Sequence, residues 1–271
     1  MNETAISWTT ASWNPVSGCS KVSAGCRFCY AERLSHERGW SSKPWTVANE
    51  AENVVLKPHK LREPFALKEP SRIFVNSMSD LFHPAIPQDY LGKIWDVMRA
   101  LPEHTFQILT KRPEHAATWP GPWASNLWMG TSVEDRKSLH RLDTLRACGA
   151  RIKFISFEPL LEDLGPVDLT GFQWVIVGGE SGPGFRPMDH AWARSVRDQA
   201  KAQGIAFFFK QSAAWRTEVG TSLIEADGTK TFIQQFPDVA AILGPGVRRT
   251  SAFTGGEPAT GSPYGARRGS A

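Results

Sequence analysis

Three cysteines fall within eleven residues, at Cys19, Cys26 and Cys29, in the run Gly18-CSKVSAGCRFCYAE-Arg33. The spacing is C-x6-C-x2-C, Phe28 stands directly before the last cysteine, and Cys148 is the only other cysteine in the chain. Such a concentration reads as a ligand set. Iron–sulfur clusters are held by thiolates, and a cubane on three cysteines has one iron without a protein ligand, open to a substrate or cofactor. Structural zinc takes four protein ligands, and His36 or His59 could complete a Cys3His set. A disulfide with a spare thiol is the remaining alternative. The N-terminus has no basic segment followed by an apolar stretch, so a cytoplasmic, reducing compartment is expected. There, a cysteine cluster binds metal or does catalysis. Cys148, in LRACGA, reads as a small buried apolar residue near a helix end.

These residues need a scaffold. The chain has 271 residues, 41% of them hydrophobic, enough for one large domain with its own core. No apolar run approaches the ~20 residues that cross a bilayer, so no membrane partner is expected. Net charge is +4, and Arg248, Arg249, Arg267 and Arg268 near the C-terminus account for that excess. The charge permits a nucleic-acid partner without requiring one. Eleven tryptophans serve packing or stacking on bases. The domain is expected over residues 1–243. From 244 to 271 glycine, serine, proline and arginine dominate, and a disordered basic tail is expected.

Short apolar runs recur at 72–76, 105–110, 127–131, 152–156, 174–178 and 205–210, with a first strand near Ile6–Trp8. They are β-rich and do not alternate, as strands buried on both faces do. Helical patterning lies between them, at 29–38, 87–100, 114–118, 133–148 and 189–203, the last with Asp189 as N-cap and Gly204 beyond its end. A short hairpin turning at Asp227-Gly228 is expected near the C-terminus. Strand–helix alternation argues a parallel sheet. The predicted fold is α/β, a partial or complete β/α (TIM-like) barrel of six to seven parallel strands with the cysteine loop after the first. A doubly wound open sheet is the runner-up.

In such folds chemistry collects at the carboxyl ends of the strands. Here those ends read Asn76-Ser77-Met78-Ser79-Asp80, Thr110-Lys111-Arg112, Thr131-Ser132-Val133-Glu134-Asp135, Ser156-Phe157-Glu158, Gly178-Gly179-Glu180 and Lys210-Gln211. A shared pocket is predicted. The Gly178–Gly184 segment lacks the ending of a P-loop; close backbone approach of a ligand at Gly178 and Gly179, with Glu180 as acceptor, suits it better.

Cys26-Arg27-Phe28-Cys29, on the loop after a first barrel strand, resembles the radical S-adenosylmethionine (SAM) superfamily, whose common spacing is C-x3-C-x2-C. Six runs in order are similar to the phage-associated three-Cys-motif radical SAM-like family, itself similar to spore photoproduct lyase. They are Trp13–Arg33, Asn76–Pro84, Leu109–Glu114, Gly130–Arg136, Ser156–Glu162 and Gly178–Asp189. The resemblance implies that Cys19, Cys26 and Cys29 hold a [4Fe-4S] cluster and that SAM chelates its fourth iron. Ser77, Ser79 and Asp80 would replace the Gly-Gly-Glu that holds the SAM amino group. Gly178, Gly179, Glu180 and Glu134 would complete the SAM site. Glu158 and Lys210 would be catalytic, and Lys111, Arg112 and Arg186 would meet phosphate. It further implies DNA or another nucleotide-containing substrate, an external electron donor and a separate partner protein.

Overall fold

A computed structural model describes residues 2–244. Seven parallel strands pair in sequence order: β1 (Ala11–Trp13), β2 (Arg72–Val75), β3 (Thr105–Thr110), β4 (Leu127–Ser132), β5 (Ile152–Phe157), β6 (Trp174–Gly178) and β7 (Ala206–Gln211). The sheet is a half-barrel, and other segments cover its two edges. Asn2–Glu3 pairs antiparallel with β1. Beside β7, the Phe209 N–H donates to the Ile233 carbonyl and the Gln235 N–H to that of Phe207. Among the described residues this pairing blunts both edges against joining by another chain.

Each strand is buried on both faces, as its unbroken apolar run predicts. Ile73, Val75, Phe106, Ile108, Met129, Ile155, Val175 and Phe209 face the helices Gln88–Arg99, His140–Arg146 and His190–Ala202. The alternate residues Phe74, Trp128, Phe154, Trp174, Ile176 and Phe208 form a second core on the concave face, with Trp8 and Leu243. Trp174 is its hub, with ring centroids 5.1–6.2 Å from Trp8, Trp128, Phe154, Phe208 and Phe236. Its indole N–H donates to the Gln235 carbonyl at 2.8 Å. Trp174→Ala is therefore expected to cost about 3–5 kcal/mol in chemical denaturation; a loss below ~1 kcal/mol would remove this core from the fold's stability.

Two expected boundaries are corrected. The first strand is Ala11–Trp13, not Ile6–Trp8. Thr9 and Thr10 hydroxyls bond the Arg72 carbonyl and turn the chain, so Ile6 and Trp8 drop into the concave core. Apolar spacing alone cannot separate that path from a strand. The helix expected from 133 to 148 is a 3-10 turn, Arg136–Ser138, followed by His140–Arg146. Asp135 caps it by accepting from the Ser138 N–H, which leaves Val133 and Glu134 extended. The Asp189 cap, the left-handed Gly204 and the Leu223–Ile224/Lys230–Thr231 hairpin stand as expected. The tail beyond Gly244 lies outside the described residues.

Candidate functional site

Strand alternation builds the site's floor and wall together. The concave residue Phe74 is followed two places on by Asn76, Leu109 by Lys111, and Gly130 by Ser132. All but Gly130 line one cavity of about 150 Å³. Cys19, Cys26, Cys29, Tyr30, Ser77, Ser79, Asp80 and Arg112 complete it. The 58 residues between β1 and β2 supply the cysteines (residues 14–71). Cys26 ends the 3-10 turn Ala24–Cys26, and Cys29 caps the helix α1 (Tyr30–Glu37). The sheet thus brings together residues distant in sequence: Arg112 Nη1 lies 3.5 Å from Cys19 Sγ, 93 positions away.

Three buried carboxylates fasten the cysteine loop to the strand ends. Asp80 Oδ1 accepts from the Phe82 N–H at 3.0 Å and the Thr110 hydroxyl at 2.7 Å. Its Oδ2 accepts from the Lys111 N–H at 3.0 Å and Arg112 Nη1 at 3.2 Å. Arg112 carries that anchor to the loop by donating to the Ser20 carbonyl at 2.9 Å. Glu134, fully buried, reaches the loop directly. Its Oε1 accepts from the Ser23 hydroxyl at 2.8 Å and pairs with Lys111 at 3.4 Å. Its Oε2 accepts from the Ser138 hydroxyl at 2.9 Å and Arg141 Nη1 at 2.8 Å. Gly25 makes room, since a Cβ there would lie 2.4 Å from Glu134 Cγ. Glu180 takes three donors from Arg186, whose Nη2 also donates to the Ala24 carbonyl at 3.0 Å.

A family profile described as "Protein of unknown function (DUF5131)" matches residues 3–256. The chain belongs to this DUF5131 family. No curated protein matches. A solved spore photoproduct lyase mutant with bound AdoMet and dinucleoside spore photoproduct is similar to it at 12% identity and a TM-score of 0.40. The match covers 74% of this chain and 63% of that one, so the DUF5131 chain spans under two thirds of that structure's length.

In the DUF5131 site a carboxylate's roughly four acceptor positions are filled at Asp80 and at Glu134 by the protein's own donors. The acceptors expected to receive SAM there are occupied as loop anchors. Ser77 exchanges hydrogen bonds with Asn14, and the Ser79 hydroxyl is 3.4 Å from the Val16 carbonyl it donates to. Gly178 and Gly179 do not line the cavity. The close approach at Gly179 comes from the chain itself, since a Cβ there would sit 2.2 Å from the Ala213 nitrogen. The segment continues the β6–β7 pairing through Ser181 and Ala214. Glu158, after β5, and Lys210, in β7, pair at 2.5 Å across β6, outside the cavity lining.

Two of the cavity's thiols, Cys19 and Cys29, are held toward the protonated form. Burial, then Asp80, pushes Cys19 up to about 12 against the opposing pull of Arg112, and burial raises Cys29. Metal binding would deprotonate them. Among the described residues no group of three or more His, Cys, Asp or Glu side chains is arranged to hold a single ion. His36 instead lines a neighbouring groove of about 350 Å³ that shares Cys29.

Sequence reading gave no role to Gly25, Ser23 or Glu218, and placed Asn76 at a strand end without its backbone conformation. Asn76 is left-handed at φ 61, and its amide nitrogen is buried without a partner, on the cavity wall. Glu218, also left-handed at φ 58, accepts from the Ser7 N–H, and burial raises its carboxyl. Asparagine is enriched at positive φ, but residue type alone does not say which asparagine adopts it.

Proposed function

We propose that this protein is an iron–sulfur radical SAM enzyme acting on DNA or another nucleotide-containing substrate. One observation carries the reading: Cys19, Cys26 and Cys29 surround a cavity at the carboxyl ends of a parallel half-barrel. A single tetrahedral ion needs donors about 2.3 Å from one point, whereas a multi-iron cluster takes one thiolate per iron and so needs thiols around a space. A [4Fe-4S] cluster held by Cys19, Cys26 and Cys29, together with SAM, would supply one-electron radical chemistry for removing hydrogen from the substrate.

The chain's own residues hold and shield that chemistry. Asp80–Arg112 and Glu134–Ser23 keep the cysteine loop in place. Phe74 and Leu109 form an apolar floor. The Lys210–Glu158 pair lies outside the cavity lining, and Lys210 would suit an anionic substrate group or a proton. The groove beside Cys29 is of nucleotide-binding size, with Arg27, Arg33 and His36 on its walls. The reaction calls for an external electron donor, which a separate partner protein would provide. No described helix is long and apolar enough to cross a membrane.

Anaerobic reconstitution with iron and sulfide tests the reading. Expected are a brown protein bleached by reductant and release of 5′-deoxyadenosine from SAM under reduction. A colourless protein carrying one zinc per chain would sink it, and a cluster that never cleaves SAM would leave the cluster and remove the SAM chemistry.

A further inference from the structure

Two aromatic rings, each faced by two cations, bracket the helix α1. Phe28, two residues before it, has Arg27 at 5.1 Å and Arg186 at 5.6 Å from its ring centroid. Trp40, three residues after it, has Arg38 at 5.0 Å and Lys57 at 5.2 Å. Eight helical residues span roughly 12 Å, and the 350 Å³ groove follows this helix along Cys29, Arg33 and His36. The Trp40 N–H donates to the Ser35 carbonyl at 2.8 Å, closing the helix end, yet the side chain stays 50% exposed. Helix capping accounts for that backbone bond; it does not account for an exposed indole with two cations over it.

The charges are arranged to meet an anion. Among the described residues the acids along the groove have cationic partners, Glu32 with Lys21 and Glu37 with Arg33. Arg27 and Arg38 make no ion pair among the described residues. Burial, then Lys60, holds Lys57 below its ordinary pKa against the opposing pull of Glu63. Residues 38–68 hold six Lys or Arg against three Glu. Lys57 is also tied to the cysteine loop's base: its N–H donates to the Pro15 carbonyl at 2.8 Å, and Val55–Leu56 pairs with Val16–Ser17. The Lys57 strand and the base of the cysteine loop are therefore joined by backbone pairing.

We propose that the surface along α1, from the groove at Phe28 to Trp40 beyond the groove and the helix end, binds a single strand of nucleic acid, with bases stacked on the two rings and phosphates met by Arg27, Arg38 and Lys57. Base–aromatic stacking tolerates any base, and flanking cations follow the backbone. A duplex hides its base faces, so the geometry selects an unpaired strand. This deepens the nucleotide part of the functional reading and rests on it, independently of any cluster.

The test uses the full chain and a fluorescein-labelled 20-nucleotide oligo(dT), followed by anisotropy across a salt series, with a duplex of equal length alongside. The wild type is expected to prefer the single strand and to weaken steeply with salt. Trp40→Ala should weaken binding about 5- to 150-fold, and Trp40→Phe should recover much of that. Lys57→Gln should lower the salt slope by about one phosphate. Trp40 is half exposed, so an unchanged melting temperature should accompany these effects. If Trp40→Ala and Lys57→Gln bind like wild type, this surface is not the strand's path while nucleic-acid binding stands. If wild type binds neither oligonucleotide at low salt, both this proposal and the nucleotide reading are overturned, with the cluster assignment untouched. Tighter binding to duplex would overturn the single-strand assignment.

Discussion

Alanine at Cys19, Cys26 or Cys29 is expected to abolish the iron and sulfide content of anaerobically reconstituted protein, while Cys148→Ala keeps it. The asymmetry follows from position. The first three side chains line one cavity. Cys148 is 3% exposed in the core between sheet and helices and reaches no polar layer. A cluster held by three thiolates has no spare protein ligand, so removing one should leave an unstable site rather than a weaker one. Iron and sulfide analysis with visible absorbance decides it. Undiminished iron in the Cys19→Ala protein would break the three-ligand assignment, and loss of iron in Cys148→Ala would point to a different site.

Glu134→Ala should cost about 3–5 kcal/mol, because it strands Arg141, 5% exposed, without its carboxylate. For a domain of this size that lowers the melting temperature by roughly 10 °C. Cluster content should fall as well, since Ser23 loses its anchor. Glu134→Gln, which keeps the shape and one acceptor, should be intermediate. Burial would push the Glu134 carboxyl up, but Lys111 and Arg141, with the Ser23 and Ser138 hydroxyls, hold it below the ordinary range. A depressed carboxylate contributes stability above its unfolded value, about 4.3, and loses it as pH falls through the lower folded value. Wild type should therefore lose more stability on acidification over that window than Glu134→Gln does. Denaturation series at both ends of the window measure this; identical pH profiles would remove Glu134 from the linkage.

The parallel half-barrel was legible because both faces of each strand are buried, so the apolar runs at 105–110 or 174–178 need no partner to be recognised. The cysteine loop was legible from spacing alone. Carboxylates at the strand ends were visible as residue types, but their use was not. Asp80 and Glu134 look the same in sequence whether they await a ligand or hold a loop. The difference lies in donors that come from Ser23, Arg112 and Arg141, brought close only when the sheet forms. Gly178-Gly179 showed the same limit, its freedom going to close approach of Ala213.

By itself, then, the sequence determined the clustering of three cysteines, the β/α rhythm and the end of the sheet where polar residues collect, since these depend on local spacing and on burial of each segment. Tertiary structure alone decided which polar groups remain available beside Cys19, Cys26 and Cys29. It also decided the strained turn at Asn76, the seat of Trp8 in the concave core, and the charge-flanked groove along α1. Those depend on contacts between distant segments, and hydrogen-bond saturation and packing are properties of the folded neighbourhood rather than of any stretch of chain.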